Sequence, residues 1–399
     1  MAGVLDGVRI LEVAAWTFVP AAGAICADLG ADVIKVEPPT GDPQRALQNI
    51  FNSEVVGPNP FDEIPNRGKR SLTLDLRNEA GREVLLAVAR TSDVFLTSYL
   101  PSLRRRLRID VADLREANPD IIYVRGSGWG SRGPMADAGG YDLASAWATS
   151  GLACRLVGRD GPAPQPPAFF DLMGGNTLAG SIGMALFRRE RTGKTSVVDV
   201  SLMNVGMWAM APDIVSAPYV DSPAVQSRET PGNPLVNWYR CADGRWLYLV
   251  LLQADRFWSE LCVVLDEPAL AEDPRFADAA SRFEHRSECV AALDAAFATR
   301  PLAQWQERFE RFSGVWAPVT SPRELHAHRQ VEPNGYLPEL VSGEGVDFRI
   351  VASPMHFDEQ PTAPGAACPE LGQHNEQVLL EVGLEWDAIG QYREKGAFG

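Results

Sequence analysis

The chain has 399 residues, 45% of them hydrophobic and 22% charged, which is apolar material for one large core or two and excludes a globally disordered chain. Its 37 basic residues stand against 52 acidic ones, and the net charge of -15 repels polyanions, so nucleic acid is not expected as a main partner. No run approaches the ~18 uninterrupted apolar residues of a membrane span, and the opening MAGVLDGVRILEVAAW lacks the charged-then-apolar pattern of an export signal.

In chain order, GVRILEVA (7–14) reads as a strand, PAAGAICADLGA (20–31) as a helix started by Pro20 and stopped by Gly30, and DVIKVEP (32–38) as a second strand. One such βαβ unit implies a parallel sheet. Strand KRSLTLDL, helix NEAGREVLLAVARTS, strand DVFLTSY, helix VADLREANP and strand DIIYVRGSGW continue the alternation, which closes near residue 200 with TSVVDVSL. A Met-rich apolar helix, SLMNVGMWAMAPDIVSA, and a loop, PYVDSPAVQSRETPGNP, follow. NWYRCADGRWLYLVLL reads as a hairpin turning at Asp243-Gly244, and helical patterns run from about Asp255 to Phe312. GVWAPVTSPRELHAH resembles a strand and a new helix, FRIVASPMHF a strand, and EQVLLEVGL a last helix. Between the last two, the Pro-rich DEQPTAPGAACPELGQHN is punctuated by apolar residues and reads as a strap over a surface. The pattern is that of a large α/β domain, an inserted smaller domain and a tail that returns to the first.

The six cysteines, Cys26, Cys154, Cys241, Cys262, Cys289 and Cys368, form no CxxC pair and have no histidine at metal spacing. Free thiols in a reducing cytoplasm and no metal site are expected. Basic residues cluster twice, as Arg67, Lys69 and Arg70 in NRGKRS and as Arg104, Arg105, Arg106 and Arg108 in RRRLR. Such clusters can hold phosphates by charge-assisted hydrogen bonds, yet spacing alone favours a solvated face with local ion pairs. GSGWGSRG (126–133) follows a strand, but Pro134 breaks the helix that a dinucleotide fingerprint requires. It reads as a loop at the carboxyl end of a strand, where α/β ligand sites lie.

Asp171 stands alone in AFFDLMGGNTLAGSIGMALFRRERTGK. At a helix start its carboxylate meets the positive end of the dipole and N–H groups that favour the ionised form. An ordinary N-cap would look the same. Gly174 and Gly175 set it apart, because glycine in a helix costs ~1 kcal/mol per site and two of them clear side chains from beside the carboxylate. Gly180 and Gly183 read as sites of close helix packing. The histidines, His285, His326, His328, His356 and His374, are remote from Asp171 in sequence, and no HExxH, GxSxG or P-loop occurs.

LDGVRILEV, LGADVIKVEPPTGDPQR, NRGKRSLTLDLR, GSGWGSRGPMADAGGYD and FFDLMGGNTLAGSIGMALFRRERTGK together resemble the successive motifs of the class III coenzyme A transferases. That family includes formyl-CoA transferase, carnitine CoA-transferase and the related α-methylacyl-CoA racemases. The similarity covers most of the chain and is densest over residues 5 to 205. It implies a Rossmann-like large domain with a smaller α+β domain in a ring-shaped subunit, two subunits interlocking into a homodimer. On this chain that gives 1–200 as the first part of the CoA-binding large domain, 201–225 as a linker, 226–315 as the small domain, and 316–399 as a linker and return.

The resemblance makes Asp171 the catalytic aspartate, with acyl-CoA and a free carboxylic acid as partners and no tightly bound cofactor. The carboxylate would attack the thioester to give a mixed anhydride, CoA thiolate would convert it to an aspartyl-CoA thioester, and the acceptor acid would repeat the sequence. Gly174 and Gly175 would give substrate access and an oxyanion site. Arg106 matches a family arginine on the CoA phosphates and Arg77 a basic position near the nucleotide; Arg67 and Lys69 join them as CoA-binding candidates. Ser98 and Tyr99 occupy a CoA-binding segment that usually reads Asn-Phe-Arg or Asn-Phe-Gly. Thr17 and Phe18 fall where formyl-CoA transferase has Gln-Ala, and Pro38 where it has an arginine whose charge Arg45 could replace. These departures weigh against formyl transfer in particular. Tyr141, a further CoA-binding candidate, stands where the racemases have a histidine base, and a phenol of pKa ~10 is a poor base at neutral pH, which favours transferase over racemase. A racemase-like enzyme and a non-catalytic acyl-CoA-binding homologue are the alternatives.

Overall fold

The computed structural model describes residues 3–47, 57–158, 161–220 and 227–398; the expected boundary at 225–226 lies outside them. The chain divides into two compact units, Met1–Asp221 with Arg329–Gly399, and Ser222–His328.

The first unit is built on a six-stranded sheet: β1 (Arg9–Val13), β2 (Asp32–Glu37), β3 (Arg70–Thr73), β4 (Val94–Thr97), β5 (Ile122–Ser127) and β6 (Val197–Ser201). Their spatial order is β3-β2-β1-β4-β5-β6, and every neighbouring pair is parallel. Parallel strands need crossover connections, and here helices supply them on both faces. Alternate residues of each strand therefore enter different cores. Ile10, Val33, Leu96 and Val124 join the helices Phe18–Asp28 and Phe169–Thr192. Leu11, Ile34, Phe95 and Tyr123 join the helix Glu79–Ala89 and the tail residues Val378, Leu379, Ile389 and Phe398. Burying each such aliphatic side chain contributes about 1.5–3 kcal/mol.

The first helix starts at Phe18, two residues before the expected Pro20, and its residues Phe18–Cys26 are all buried. Gly30 at φ 101° ends it. A helix over Pro101–Leu107 was hidden by its charge; Pro101 opens it and Arg108 closes it in a left-handed turn. The expected Met-rich helix is two, Leu202–Ala209 and Ala211–Ser216, because Pro212 has no N–H to continue the first. EQVLLEVGL is not the last helix; Trp386–Glu394 follows it.

The second unit holds a three-stranded antiparallel sheet with Trp246–Val250 between Val236–Arg240 and Trp316–Pro318. Gly244 at φ 79° makes the tight hairpin turn. Tyr239, Phe297, Trp305 and Phe309 stack over the sheet as an aromatic core. No helix among the described residues is long and apolar enough to cross a membrane.

Candidate active site

The strand order changes direction between β1 and β4, and ligands of parallel α/β sheets sit outside the carboxyl ends of the strands at such a point. Here the loops after β1 and β4 are stitched together. Ser98 Oγ accepts from the Ala15 N–H at 3.0 Å and donates to the Ala15 carbonyl at 3.3 Å. Trp16 holds φ 69°, a left-handed backbone that bulky residues rarely adopt, and its N–H donates to Asp42 Oδ1 at 3.2 Å. A shallow surface crevice opens beside them, lined by Ser98, Tyr99 and Leu100 after β4 and by Gly126 and Ser127 at the end of β5 with Gly130 beyond it. The glycine-rich GSGWGSRG thus lies at the carboxyl end of a strand, as expected, with Gly130 at φ 101° turning the loop.

Asp171 lies in the first turn of the helix Phe169–Thr192, after Ala168 at φ 57°. Phe170 is fully buried against Trp147 and anchors that turn. The Asp171 carboxylate is half-buried and has no hydrogen bond or ion pair with any described residue. Burial first, and then the Asp142 carboxylate, push it up to about 8. Burial thus works against the ionised form expected at a helix start. Asp142 is itself buried; the Leu143 N–H donates to one of its oxygens at 2.7 Å and the Gln165 amide to the other. Tyr141 beside it is exposed and packs edge-on against Trp16, ring centroids 5.4 Å apart. The pair opens a π-helical turn, Leu143–Ala148, a rare geometry that recurs at functional sites.

Several expected site residues have other occupations. Gly174 and Gly175 are buried: a Cβ would lie 2.4 Å from the Phe18 ring at the first and 2.7 Å from the Ala21 Cβ at the second. They let two helices approach and do not clear a path for substrate. Gly180 and Gly183, expected at a helix contact, face open space. Phe18 is buried as their counterpart, and Thr17 is buried with its hydroxyl accepting from Gln44 Nε2 at 3.0 Å.

The basic clusters resolve differently. Lys69 is buried with its ammonium on Glu12 at 2.7 and 2.8 Å and on the Pro20 carbonyl at 2.8 Å; burial brings it down to about 8. Arg67 grips Asp28 at 2.7 Å and the Ile64 carbonyl at 2.6 Å. Arg45 is bidentate on Glu37, both bonds 2.8 Å, and also reaches the Pro369 carbonyl. All three cations are engaged in internal ion pairs. Arg77 is exposed and bonded to Asp75 at 2.9 Å. In RRRLR, Arg104 is buried on Asp110 and the Tyr99 carbonyl, while Arg105 and Arg108 pair with Asp137 and Glu79. Arg106 is exposed and without a carboxylate partner among the described residues. Ser98 and Tyr99 line the crevice, with Tyr99 half-buried.

Asp42, Trp16 and Asp142 were not singled out in the sequence. Asp42 had a readable signal, an Asp-Pro start to the 3-10 turn Pro43–Ala46 that it caps. The left-handed Trp16 had none. Among the described residues no group of three or more His, Cys, Asp or Glu side chains is arranged to hold a metal ion.

Residues 5–375 match the family model described as CoA-transferase family III. The chain is 27% identical to (R)-2-hydroxy-4-methylpentanoate CoA-transferase of Clostridioides difficile, over 98% of each protein. It is 30% identical to a probable fatty acyl-CoA transferase of Mycobacterium tuberculosis, over 94% of this chain and 97% of the other. Its fold matches the crystal structure of a CAIB/BAIF family protein from Brucella suis with a TM-score of 0.83 and 26% identity, over 96% of this chain and all of that one. The chain belongs to CoA-transferase family III and is a CoA-transferase.

Proposed function

We propose that the enzyme moves CoA from an acyl-CoA to a free carboxylic acid, with Asp171 as the group that is acylated and then thioesterified. The observation that carries this reading is a half-buried carboxylate in the first turn of the helix Phe169–Thr192, unpaired among the described residues and within electrostatic reach of Asp142. The Asp171 carboxylate attacks the thioester carbon, the C–S bond breaks, and CoA leaves as thiolate from a mixed anhydride. The thiolate attacks the aspartyl carbonyl and expels the donor acid, leaving an aspartyl-CoA thioester. The acceptor carboxylate attacks that thioester and releases CoA thiolate, which attacks the new acyl carbonyl and frees Asp171. No water enters and no net proton is consumed. Burial serves the anhydride by limiting hydrolysis, and the higher basicity of Asp171 makes its ionised form the stronger nucleophile.

Arg106, exposed and without a carboxylate partner among the described residues, is the candidate for a CoA phosphate, and the Ser98–Tyr99 crevice the candidate for the pantetheine arm. We assign the working form as an interlocked homodimer in the cytoplasm. The split first unit, the uncovered Phe187 and Trp208, 68% and 82% exposed, and six free thiols support this. The experiment is transfer in deuterated water with a 2-methylacyl-CoA donor and a panel of acids. Acceptor-dependent formation of new CoA esters without α-deuterium is expected. Rapid α-exchange with no acceptor present would select the racemase reading.

A further inference from the structure

Asp42 joins two loops that have no sequence relation. It is 3% exposed, and both carboxylate oxygens are in use. Oδ1 accepts from the Gln44 N–H at 3.0 Å and from the Trp16 N–H at 3.2 Å; Oδ2 accepts from Lys35 Nζ at 2.7 Å. Lys35 is a β2 residue, buried, and also donates to Asn66 Oδ1 at 2.8 Å. Burial works against its charge, but Asp42, Glu12 and Glu37 outweigh that and leave its pKa raised. The clamp on Asp42 is therefore charged and rigidly mounted on the sheet. The neighbouring Gln44 pins Thr17 in the same way, Nε2 to Oγ1 at 3.0 Å.

The bond to Gln44 suffices for Asp42 to cap its own turn. The bond to Trp16 serves something else: it holds a bulky residue at φ 69° on the loop after β1. That backbone sets the direction of the Trp16 ring, which meets the Tyr141 ring edge-on, next to the Asp142 carboxylate that acts on Asp171.

We infer that Asp42 is a positioning residue for CoA transfer: mounted on Lys35, it fixes the Trp16 loop and, through the Trp16–Tyr141 contact, the wall of the site beside Asp171. The inference rests on Asp171 as the reacting group.

The test is a double-mutant cycle on kcat and KM with the full-length enzyme, using one acyl-CoA and one acceptor acid that it turns over. Asp42→Asn is expected to lower kcat about 10-fold or more with KM for the acyl-CoA within about 3-fold, and Trp16→Ala to do the same. The double variant is expected within about 3-fold of Trp16→Ala alone, because Asp42 has nothing left to position. Multiplied losses in the double variant, or an Asp42→Asn enzyme with unchanged kcat and only a lowered Tm, would overturn the inference. If Asp42→Asn alone does not fold, it is made in a Trp16→Gly background, where glycine takes φ 69° without strain. There it is expected to leave kcat within about 3-fold of Trp16→Gly alone, and a larger loss counts against the inference. The coupling is read without any covalent adduct, so failure of the Asp171 reading shows separately as a wild-type enzyme that forms none.

Discussion

Asp171 carries a conflict between stability and chemistry. Its folded pKa of about 8 lies above the unfolded value of 3.8, so between those limits the folded chain keeps a proton that the unfolded chain has lost. Stability therefore falls as pH rises from about 4 to 8 and levels off above. Asp171→Asn removes that cost. It is expected to abolish turnover and to raise stability at pH 8 by about 1–3 kcal/mol, with no gain at pH 4, in denaturant titrations at the two pH values. A nucleophilic Asp171 works only when ionised, so kcat/KM is expected to climb with pH towards about 8. Asp142→Asn removes one cause of the raised pKa and should move that limb to lower pH. A limb that stays in place would deny Asp142 its influence. The cations divide in the same way. Arg106→Ala is expected to weaken CoA binding by about 1–3 kcal/mol in calorimetry, with a smaller loss for a pantetheine thioester, and to leave Tm unchanged. Lys69→Met strips the buried Glu12 of its hydrogen-bonded ammonium and leaves it only the more distant Lys35, at 3.9 Å, and its expected cost of about 3 kcal/mol falls on folding. None of this sorting was legible in the clusters themselves, since Lys69 finds its partner 57 residues away and Arg67 finds its own 39 away.

At the scale of elements, the helix Phe169–Thr192 shows what spacing conceals. Its four glycines were legible as a pattern, but which pair packs depends on the face turned to the helix Phe18–Asp28. Gly174→Ala drives a methyl into the Phe18 ring and is expected to cost at least about 1–3 kcal/mol. Gly180→Ala, with nothing within 4 Å inside the subunit, is expected to cost less than Gly174→Ala. Thermal denaturation of the two variants separates them, and equal losses would contradict the packing described. The strands of the parallel sheet were readable because burial on both faces writes a continuous apolar run. The helix Pro101–Leu107 was not, because its buried Arg104 is satisfied by Asp110 and the Tyr99 carbonyl, contacts a linear pattern does not contain. The left-handed Trp16 escaped for a related reason: Asp42 holds it from a different loop.

At the scale of the whole molecule, the proposed interlocked homodimer carries its own expectation. Rings that pass through one another separate only when a chain unfolds, so sedimentation at nanomolar concentration should show a dimer and no folded monomer. A folded monomer on dilution would remove the interlocking. The apolar faces at Phe187 and Trp208 would then need another cover. The central claim, that Asp171 is covalently loaded during transfer, is tested most directly by incubating the enzyme with an acyl-CoA, trapping with hydroxylamine or borohydride, and mapping peptides by mass spectrometry. The account predicts a modification on Asp171 within AFFDLMGGNTLAGSIGMALFR, absent from Asp171→Asn. Turnover with no modification there, or the same modification on another carboxylate, would contradict it.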